Sequence, residues 1–191
     1  MNLPNKITMI RVILIPVYVI LMVMSMNVAN VTGESGANTY QLIAGIVFII
    51  ASMTDFVDGY IARKHNLVTD FGKFVDPLAD KLLVMAAMIC LVEKTYLAGW
   101  VVIVILAREF IVTGLRTLAA NKGVVIAADM IGKVKTTTQM IGLVLFHFAG
   151  FFSGSAVLVL ACIFIYVALV LTVVSGANYL YQYRELFIQA K

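Results

Sequence analysis

Long apolar runs separated by short polar connectors make up most of the chain. Six segments can be marked, at approximately Ile7–Met26, Tyr40–Ile61, Phe74–Val92, Leu97–Ala120, Ile131–Gly150 and Ala156–Tyr181. Several of them approach or exceed the roughly 20 residues that an α-helix needs to cross a bilayer. Turn-forming residues connect them, as in Thr32-Gly33-Glu34-Ser35-Gly36 after the first segment. The pattern predicts an all-α, polytopic membrane protein with six transmembrane helices.

The composition agrees with this interpretation. Apolar residues make up 62% of the chain and charged residues 13%, with a mean hydropathy of +1.02. Soluble domains of this length rarely have such values, so we expect residues 1–191 to form a single membrane domain. The first segment lacks a signal-peptide cleavage pattern and is expected to be a retained span. Cys90 and Cys162 stand alone in apolar segments and indicate buried hydrophobic positions.

The basic residues are divided unevenly between the two ends of the predicted spans. Only Lys94 falls toward one end, whereas thirteen of the fourteen lie at or near the other: Lys6, Arg11, Arg63, Lys64, Lys73, Lys81, Arg108, Arg116, Lys122, Lys133, Lys135, Arg184 and Lys191. By the positive-inside rule the basic end is cytoplasmic. Both termini are then cytoplasmic, as an even number of spans requires. We expect a multi-pass plasma-membrane protein without a nucleic-acid partner.

Two pairs of aspartates interrupt this apolar pattern. Asp55 and Asp58 lie near the cytoplasmic end of the second segment, and Asp76 and Asp80 lie near the start of the third. Separations of three and four residues place each pair on one helix face. Because the connector is short, the two helices should be neighbours. We therefore expect four carboxylates to converge just below the cytoplasmic surface, where metal ions can offset their mutual repulsion.

An all-oxygen ligand set of this kind suits magnesium, manganese or calcium. Four carboxylates can hold two such ions, an arrangement suited to displacement at phosphorus. Gly59 and Ala62 leave room for a close approach, and Arg63 offers a two-pronged donor for phosphate. Pro77 predicts that the third helix begins at most about one turn upstream. The alternative is that some acids only hold helices together, by pairing with Arg63, Lys73 or Lys81.

The aspartate segment resembles the signature of the CDP-alcohol phosphatidyltransferases, D-x-x-D-G-x-x-A-R, eight residues, then G-x-x-x-D-x-x-x-D. All eight fixed positions match, at Asp55, Asp58, Gly59, Ala62, Arg63, Gly72, Asp76 and Asp80. The resemblance implies a six-helix membrane enzyme, usually a homodimer, that uses Mg²⁺ or Mn²⁺. Such enzymes displace CMP from a CDP-alcohol with the hydroxyl group of a second alcohol.

The resemblance also implies roles for individual residues. Asp55, Asp58 and Asp76 would be metal ligands. Asp80 would lie near the metals and act as general base on the acceptor hydroxyl. Contacts to the CDP group would come from Gly59, Arg63, Thr69, Asn5 and Thr8. The last two belong to Pro4-Asn5-Lys6-Ile7-Thr8, for which a helix cap at the membrane surface is the alternative.

Four basic residues in the fourth and fifth segments bear on the second substrate. Arg108 and Arg116 are eight residues apart and share a helix face, while Lys133 and Lys135 lie near a predicted helix start. Four cations on the aspartate side predict an anion pocket, although some of them can be ordinary positive-inside anchors. A phosphorylated acceptor accounts for such a pocket, whereas a neutral alcohol does not.

These two segments also resemble the phosphatidylglycerophosphate synthases within that family. The implied reaction converts CDP-diacylglycerol and glycerol 3-phosphate into phosphatidylglycerophosphate and CMP. Another phosphorylated acceptor, such as inositol phosphate, is the alternative within the family. A divalent-cation transporter is the alternative from a different class, but its acids should lie near the bilayer midplane.

Two further interpretations concern residues outside these motifs. His147 is expected to be a packed histidine with one hydrogen bond rather than a proton relay. Tyr179, Tyr181 and Tyr183 lie near the final cytoplasmic boundary and are expected to form an interfacial aromatic belt.

Overall fold

The described part of the chain is entirely helical in its regular structure. The computed structural model describes residues 3–32, 39–65, 70–121, 129–149, 151 and 155–184, with side chains described at 8–31, 39–54, 78–120, 129–149, 151 and 155–184. These residues form α1 (Leu3–Thr32), α2 (Thr39–His65), α3 (Asp70–Glu93), α4 (Gly99–Asn121), α5 (Met130–Phe148) and α6 (Ala156–Gln182). Each predicted apolar segment coincides with one helix, and the all-α prediction is confirmed for these residues.

The start of α3 differs from the expectation based on proline. The helix begins at Asp70, so Pro77 lies about two turns inside it, and the prediction of a start within one turn was wrong. Pro16 likewise lies inside α1. A proline removes one backbone donor, and neighbouring helices in a membrane bundle can satisfy the carbonyl that is left over. Proline is therefore a weaker boundary signal in this chain than in an isolated helix.

The surface of the helices is strongly apolar. Among the described residues, Thr8–Val31 and Ala156–Gln182 are long and apolar enough to cross a membrane, and Thr39–Thr54 is a shorter apolar stretch. Large apolar side chains such as Ile13, Ile103 and Val170 are exposed. Exposed apolar surface of this extent is typical of a protein that contacts lipid.

The helices pack as a closed ring in the order α1, α2, α5, α6, α4, α3, and α3 also contacts α2 and α5 across its centre. The predicted proximity of the second and third helices is therefore confirmed. Fully buried side chains fill the interior, including Tyr18, Phe48, Leu83, Phe146 and Ile165. These five side chains come from α1, α2, α3, α5 and α6, so one shared core ties the ring together.

At one end of the bundle, uncharged polar groups and a single lysine join the helices through hydrogen bonds. The Gln41 side chain donates to the carbonyl oxygens of Phe146 and His147, both at 3.2 Å. Lys94, in the turn after α3, donates to Ser25 at 2.8 Å and to Gln41. These contacts bring together the start of α2 and the late parts of α1, α3 and α5. Lys94 therefore marks the end opposite to the other described basic residues.

His147 is packed within the core, as expected. Its Nε2 atom lies 2.8 Å from the Tyr18 hydroxyl and its Nδ1 atom 2.7 Å from the Leu143 carbonyl oxygen. The Phe48 ring stacks on the imidazole at 5.3 Å between centroids. The histidine thus makes two hydrogen bonds rather than one. The bond to Tyr18 joins α5 to α1, the bond to Leu143 stays within α5, and the stack with Phe48 adds α2.

We predict that Gly45→Val destabilises the protein. A Cβ atom at Gly45 would lie 2.8 Å from the His147 Cβ, so α2 and α5 would have to separate. Overpacking of this kind costs about 1–3 kcal/mol, and thermal unfolding in detergent should show a lower melting temperature. Gly114→Val is the control, because a Cβ there meets nothing within 4 Å. Equal effects of the two changes would contradict the tight α2–α5 contact.

Candidate active site

A cavity of about 410 Å³ lies at the end of the bundle opposite to Lys94. We call it the basic cavity. Side chains from α3, α4, α6 and the start of α5 line it. The charged ones are Lys81, Arg108, Glu109, Arg116, Asp129 and Lys133. Four cations face two acids in this lining. The arrangement favours the binding of an anion.

A smaller inner cavity of about 70 Å³ adjoins the basic cavity. Asp80 and Lys135 line it, and it shares Lys81, Glu109 and Thr136 with the basic cavity. Asp80 is therefore next to a cation-rich space. This neighbourhood connects the two sequence motifs, which are 28 residues or more apart along the chain.

Glu109 joins two of the predicted cations. Its Oε1 atom accepts a hydrogen bond from Arg108 Nη1 at 3.1 Å and another from Lys135 Nζ. The side chain of Lys135 is only 4% exposed and that of Glu109 25%. Because a buried ammonium without a partner is costly, Glu109 allows Lys135 to remain inside. The contact to Lys135, 26 residues further along the chain, was not foreseen from the sequence.

Lys81 adds a fifth cation to the four that were predicted to form the anion pocket. It donates to the Thr113 hydroxyl, which in turn donates to the Glu109 carbonyl oxygen at 2.7 Å. These bonds link α3 to α4 immediately after Asp80. From its sequence position, Lys81 was expected at the cytoplasmic end and as a possible counter-ion for the aspartates. Its position next to Asp80 was the available signal, but the contact to α4 depends on tertiary packing.

Uncharged residues of α6 hold two of the cations. Arg116 Nη2 donates to the Tyr179 hydroxyl at 2.7 Å, and Arg108 Nη2 donates to the Ser175 hydroxyl. Tyr179 is 4% exposed, so its assignment to an interfacial belt was wrong. Tyr181, at 71% exposure, remains compatible with such a belt. The packing of α6 against α4 buries Tyr179. In the sequence, the only sign of this burial is that Tyr179 lies four residues after Ser175 and so shares a helix face with it.

The predicted site residues are divided between described and undescribed parts of the chain. Arg108, Arg116 and Lys133 line the basic cavity, whereas Lys135 lines the inner cavity. Thr8 is buried on α1. Thr69 lies outside the described residues, as do the side chains of Asn5, Asp55, Asp58, Gly59, Arg63 and Asp76. The described side chains include no group of three His, Cys, Asp or Glu that could hold a metal ion.

Arg11 has a structural position that the sequence analysis did not foresee. It was interpreted as a positive-inside anchor, but its side chain is fully buried. Its Nε atom donates to the Ala51 carbonyl oxygen at 3.3 Å and to the Thr54 hydroxyl at 3.4 Å. Thr54 directly precedes Asp55 in α2. Arg11 therefore fixes α1 against the turn from which the first aspartate pair begins.

The aspartate spacing, the helical bundle and the cation-rich cavity define a class of membrane transferase. The model of the CDP-alcohol phosphatidyltransferase family matches residues 1–174, and the chain belongs to that family. A relative in Bacillus subtilis, named CDP-diacylglycerol–glycerol-3-phosphate 3-phosphatidyltransferase, is 50% identical over 181 residues, covering 93% of each chain. A protein of the same name in Rickettsia typhi is 39% identical over 93% of this chain and 94% of its own.

A third relative has the other name in use for this activity. It is a probable phosphatidylglycerophosphate synthase of Mycobacterium tuberculosis, 37% identical over 93% of this chain and 79% of its own. The family confirms the resemblance drawn from the eight signature positions. The chain is thus an enzyme of the CDP-alcohol phosphatidyltransferase class.

We predict that Glu109→Gln lowers the melting temperature in detergent. The change removes the charge that Lys135 and Arg108 share, at a cost of about 1–3 kcal/mol. Adding Lys135→Met should restore part of the loss, because the unpaired buried charge is then also removed. Glu93→Gln, at an exposed position, is the control and should have little effect. A Glu109→Gln protein as stable as this control would contradict the bridging role.

Proposed function

We propose that the protein transfers the phosphatidyl group of CDP-diacylglycerol to sn-glycerol 3-phosphate, which gives phosphatidylglycerophosphate and CMP. The observation that carries this proposal is the basic cavity beside Asp80. A neutral acceptor gives no reason for four cations in the lining, whereas the phosphate of glycerol 3-phosphate does. Two of the relatives are named for this pair of substrates, and the third is named for this product.

The proposed setting is the plasma membrane, with six spans and both termini in the cytoplasm. The contacts at the two ends of the bundle support alternating helix directions, with Lys94 at one end and the basic cavity at the other. The positive-inside rule then turns the basic cavity toward the cytoplasm, where a soluble phosphate ester is available. A homodimer is proposed from the resemblance to the family.

The proposed cofactors are two Mg²⁺ or Mn²⁺ ions held by Asp55, Asp58, Asp76 and Asp80. Two observations support the fit. The donor set consists of carboxylates alone, which suits hard divalent cations, and Asp80 lies half-buried at the inner cavity. When bound, the ions supply charge stabilisation at the diphosphate oxygens.

The protein's own groups account for the remaining steps of the proposed mechanism. Asp80 accepts the proton of the primary hydroxyl of glycerol 3-phosphate, while the oxygen of that hydroxyl forms a bond to the phosphorus attached to diacylglycerol. The bond from that phosphorus to the CMP oxygen breaks, and CMP leaves with the electron pair. The basic cavity binds the acceptor's own phosphate and orients the hydroxyl. Asn5, Thr8, Gly59, Arg63 and Thr69 are proposed to hold the CDP group.

An apolar groove of about 420 Å³ between α2 and α5 is suited to an acyl chain of the lipid substrate. The two helices are in close contact at Gly45 and His147 and leave this groove nearer to Asp55. Met140 lines both the groove and the inner cavity. A lipid chain in the groove would therefore end beside Asp80. The residues that line it are Ile49, Ser52, Met53, Met140, Ile141, Val144 and Leu145.

The experiment that tests this function offers purified protein CDP-diacylglycerol, Mg²⁺ and either glycerol 3-phosphate or inositol 1-phosphate. We expect CMP release with glycerol 3-phosphate, and its loss when the metal is chelated. Asp80→Asn should lower turnover about 100-fold or more, since general-base catalysis typically contributes that much, while binding of CDP-diacylglycerol persists. Preference for inositol 1-phosphate would overturn the acceptor assignment. Metal-ion transport without CMP release would support a transporter instead.

We predict that Arg116→Ala raises the KM for glycerol 3-phosphate about tenfold or more, the usual cost of one charge-assisted hydrogen bond. The KM for CDP-diacylglycerol should change little, because Arg116 lies in the basic cavity. Arg184→Ala is the control, as this arginine is exposed near the same end of the bundle. Equal increases in both KM values would count against a separate acceptor pocket.

A further inference from the structure

One face of α6 lies against both arginines of the basic cavity. Ser175, Gly176 and Tyr179 are buried on this face. Serine, glycine and tyrosine carry no charge at neutral pH, so neither the positive-inside rule nor a charge motif indicates a role for them. The family model also ends at residue 174, directly before them. We call these three residues the α6 wall.

Arg108 contacts the wall through its aliphatic stem and through one guanidinium nitrogen. Its Nη2 atom donates to the Ser175 hydroxyl. A Cβ atom at Gly176 would lie 2.9 Å from Arg108 Cγ, so only glycine leaves room for the stem of the arginine here. A Cβ at Gly132 on α5 would lie 3.9 Å from Arg108 Nη2. The guanidinium is thus confined between α5 and α6.

Tyr179 holds the second arginine and the start of α5. Its hydroxyl oxygen accepts hydrogen bonds from Arg116 Nη2 at 2.7 Å and from the Asp129 backbone N–H at 3.0 Å. The guanidinium carbons of Arg108 and Arg116 lie 5.8 and 5.4 Å from the centre of its ring. One aromatic ring therefore attracts two cations that repel each other.

We propose that the α6 wall determines the specificity of the basic cavity for a phosphate monoester. Ser175, Gly176 and Tyr179 are positioning residues: they set the separation and direction of the Arg108 and Arg116 guanidinium groups before the acceptor arrives. Two guanidinium planes held in advance match the oxygens of one phosphate at a lower entropic cost than two mobile side chains. This inference rests on the proposed function, because it takes glycerol 3-phosphate as the occupant.

The test compares Tyr179→Phe with Tyr181→Phe. The first change keeps the ring and removes the hydroxyl that orients Arg116, whereas the second alters an exposed tyrosine on the same helix. We expect Tyr179→Phe to raise the KM for glycerol 3-phosphate about tenfold. The KM for CDP-diacylglycerol should stay close to that of Tyr181→Phe, although the melting temperature should fall because the Asp129 N–H loses its acceptor. Parallel changes in both KM values would overturn the positioning role.

A second pair of variants tests the wall through its glycine. Gly176→Ala should displace Arg108 and raise the KM for glycerol 3-phosphate, whereas Gly114→Ala should not, because its Cβ meets nothing within 4 Å. If Gly176→Ala lowers only the melting temperature and leaves this KM unchanged, the glycine serves packing alone and the wall is refuted at that position.

A binding measurement separates failure of this inference from failure of the proposed function. Glycerol 3-phosphate and inorganic phosphate are titrated into the wild-type protein and Tyr179→Phe without CDP-diacylglycerol, and the rise in melting temperature is recorded. Weaker stabilisation of Tyr179→Phe supports the wall even if the wild type proves to use another phosphorylated acceptor. Equal stabilisation of the two proteins refutes the wall even if the wild type makes phosphatidylglycerophosphate.

Discussion

Charged groups inside an apolar bundle must find their partners within the protein, and the candidate site follows from this constraint. Glu109 lies within the largely apolar helix α4, and it bonds to Arg108 on its own helix and to Lys135 on α5. Lys81 joins from α3 through Thr113. Because lipid cannot solvate these groups, α3, α4 and α5 each contribute a partner. The same contacts that remove the cost of burial place the cations around one space.

The two ends of the bundle satisfy this constraint differently. At the Lys94 end, amide, hydroxyl and imidazole groups close the interior, and α2 and α5 touch at Gly45. At the other end, charged side chains link the helices around two cavities. Tight packing at one end allows α2 and α5 to leave a groove toward the other. An enzyme that must admit both a lipid chain and a soluble phosphate ester needs this asymmetry.

The helices and the reaction class could be predicted from the sequence because both depend on local spacing. Apolar runs of span length predict helices directly, and the eight signature positions that indicate the reaction class are set by short spacings along the chain. The division of Lys133 and Lys135 between two cavities depends on how α5 is rotated, which no local pattern reveals. Tyr179 and Arg11 were misinterpreted for a related reason, since burial of a tyrosine or an arginine at a helix end is decided by the neighbouring helices.

A carboxylate in an anion-binding cavity repels the anion, yet Glu109 also orients the cations that bind the anion. An arginine presents five N–H donors in a fixed plane, and its direction must be set before it can select a ligand. Arg108 commits one donor to Glu109 and another to Ser175, and Arg116 commits one to Tyr179. Each guanidinium is thereby oriented by a minority of its donors, while four cations still outnumber two acids in the lining of the basic cavity. Orientation by single contacts, rather than full neutralisation, leaves the positive charge that a phosphate group requires.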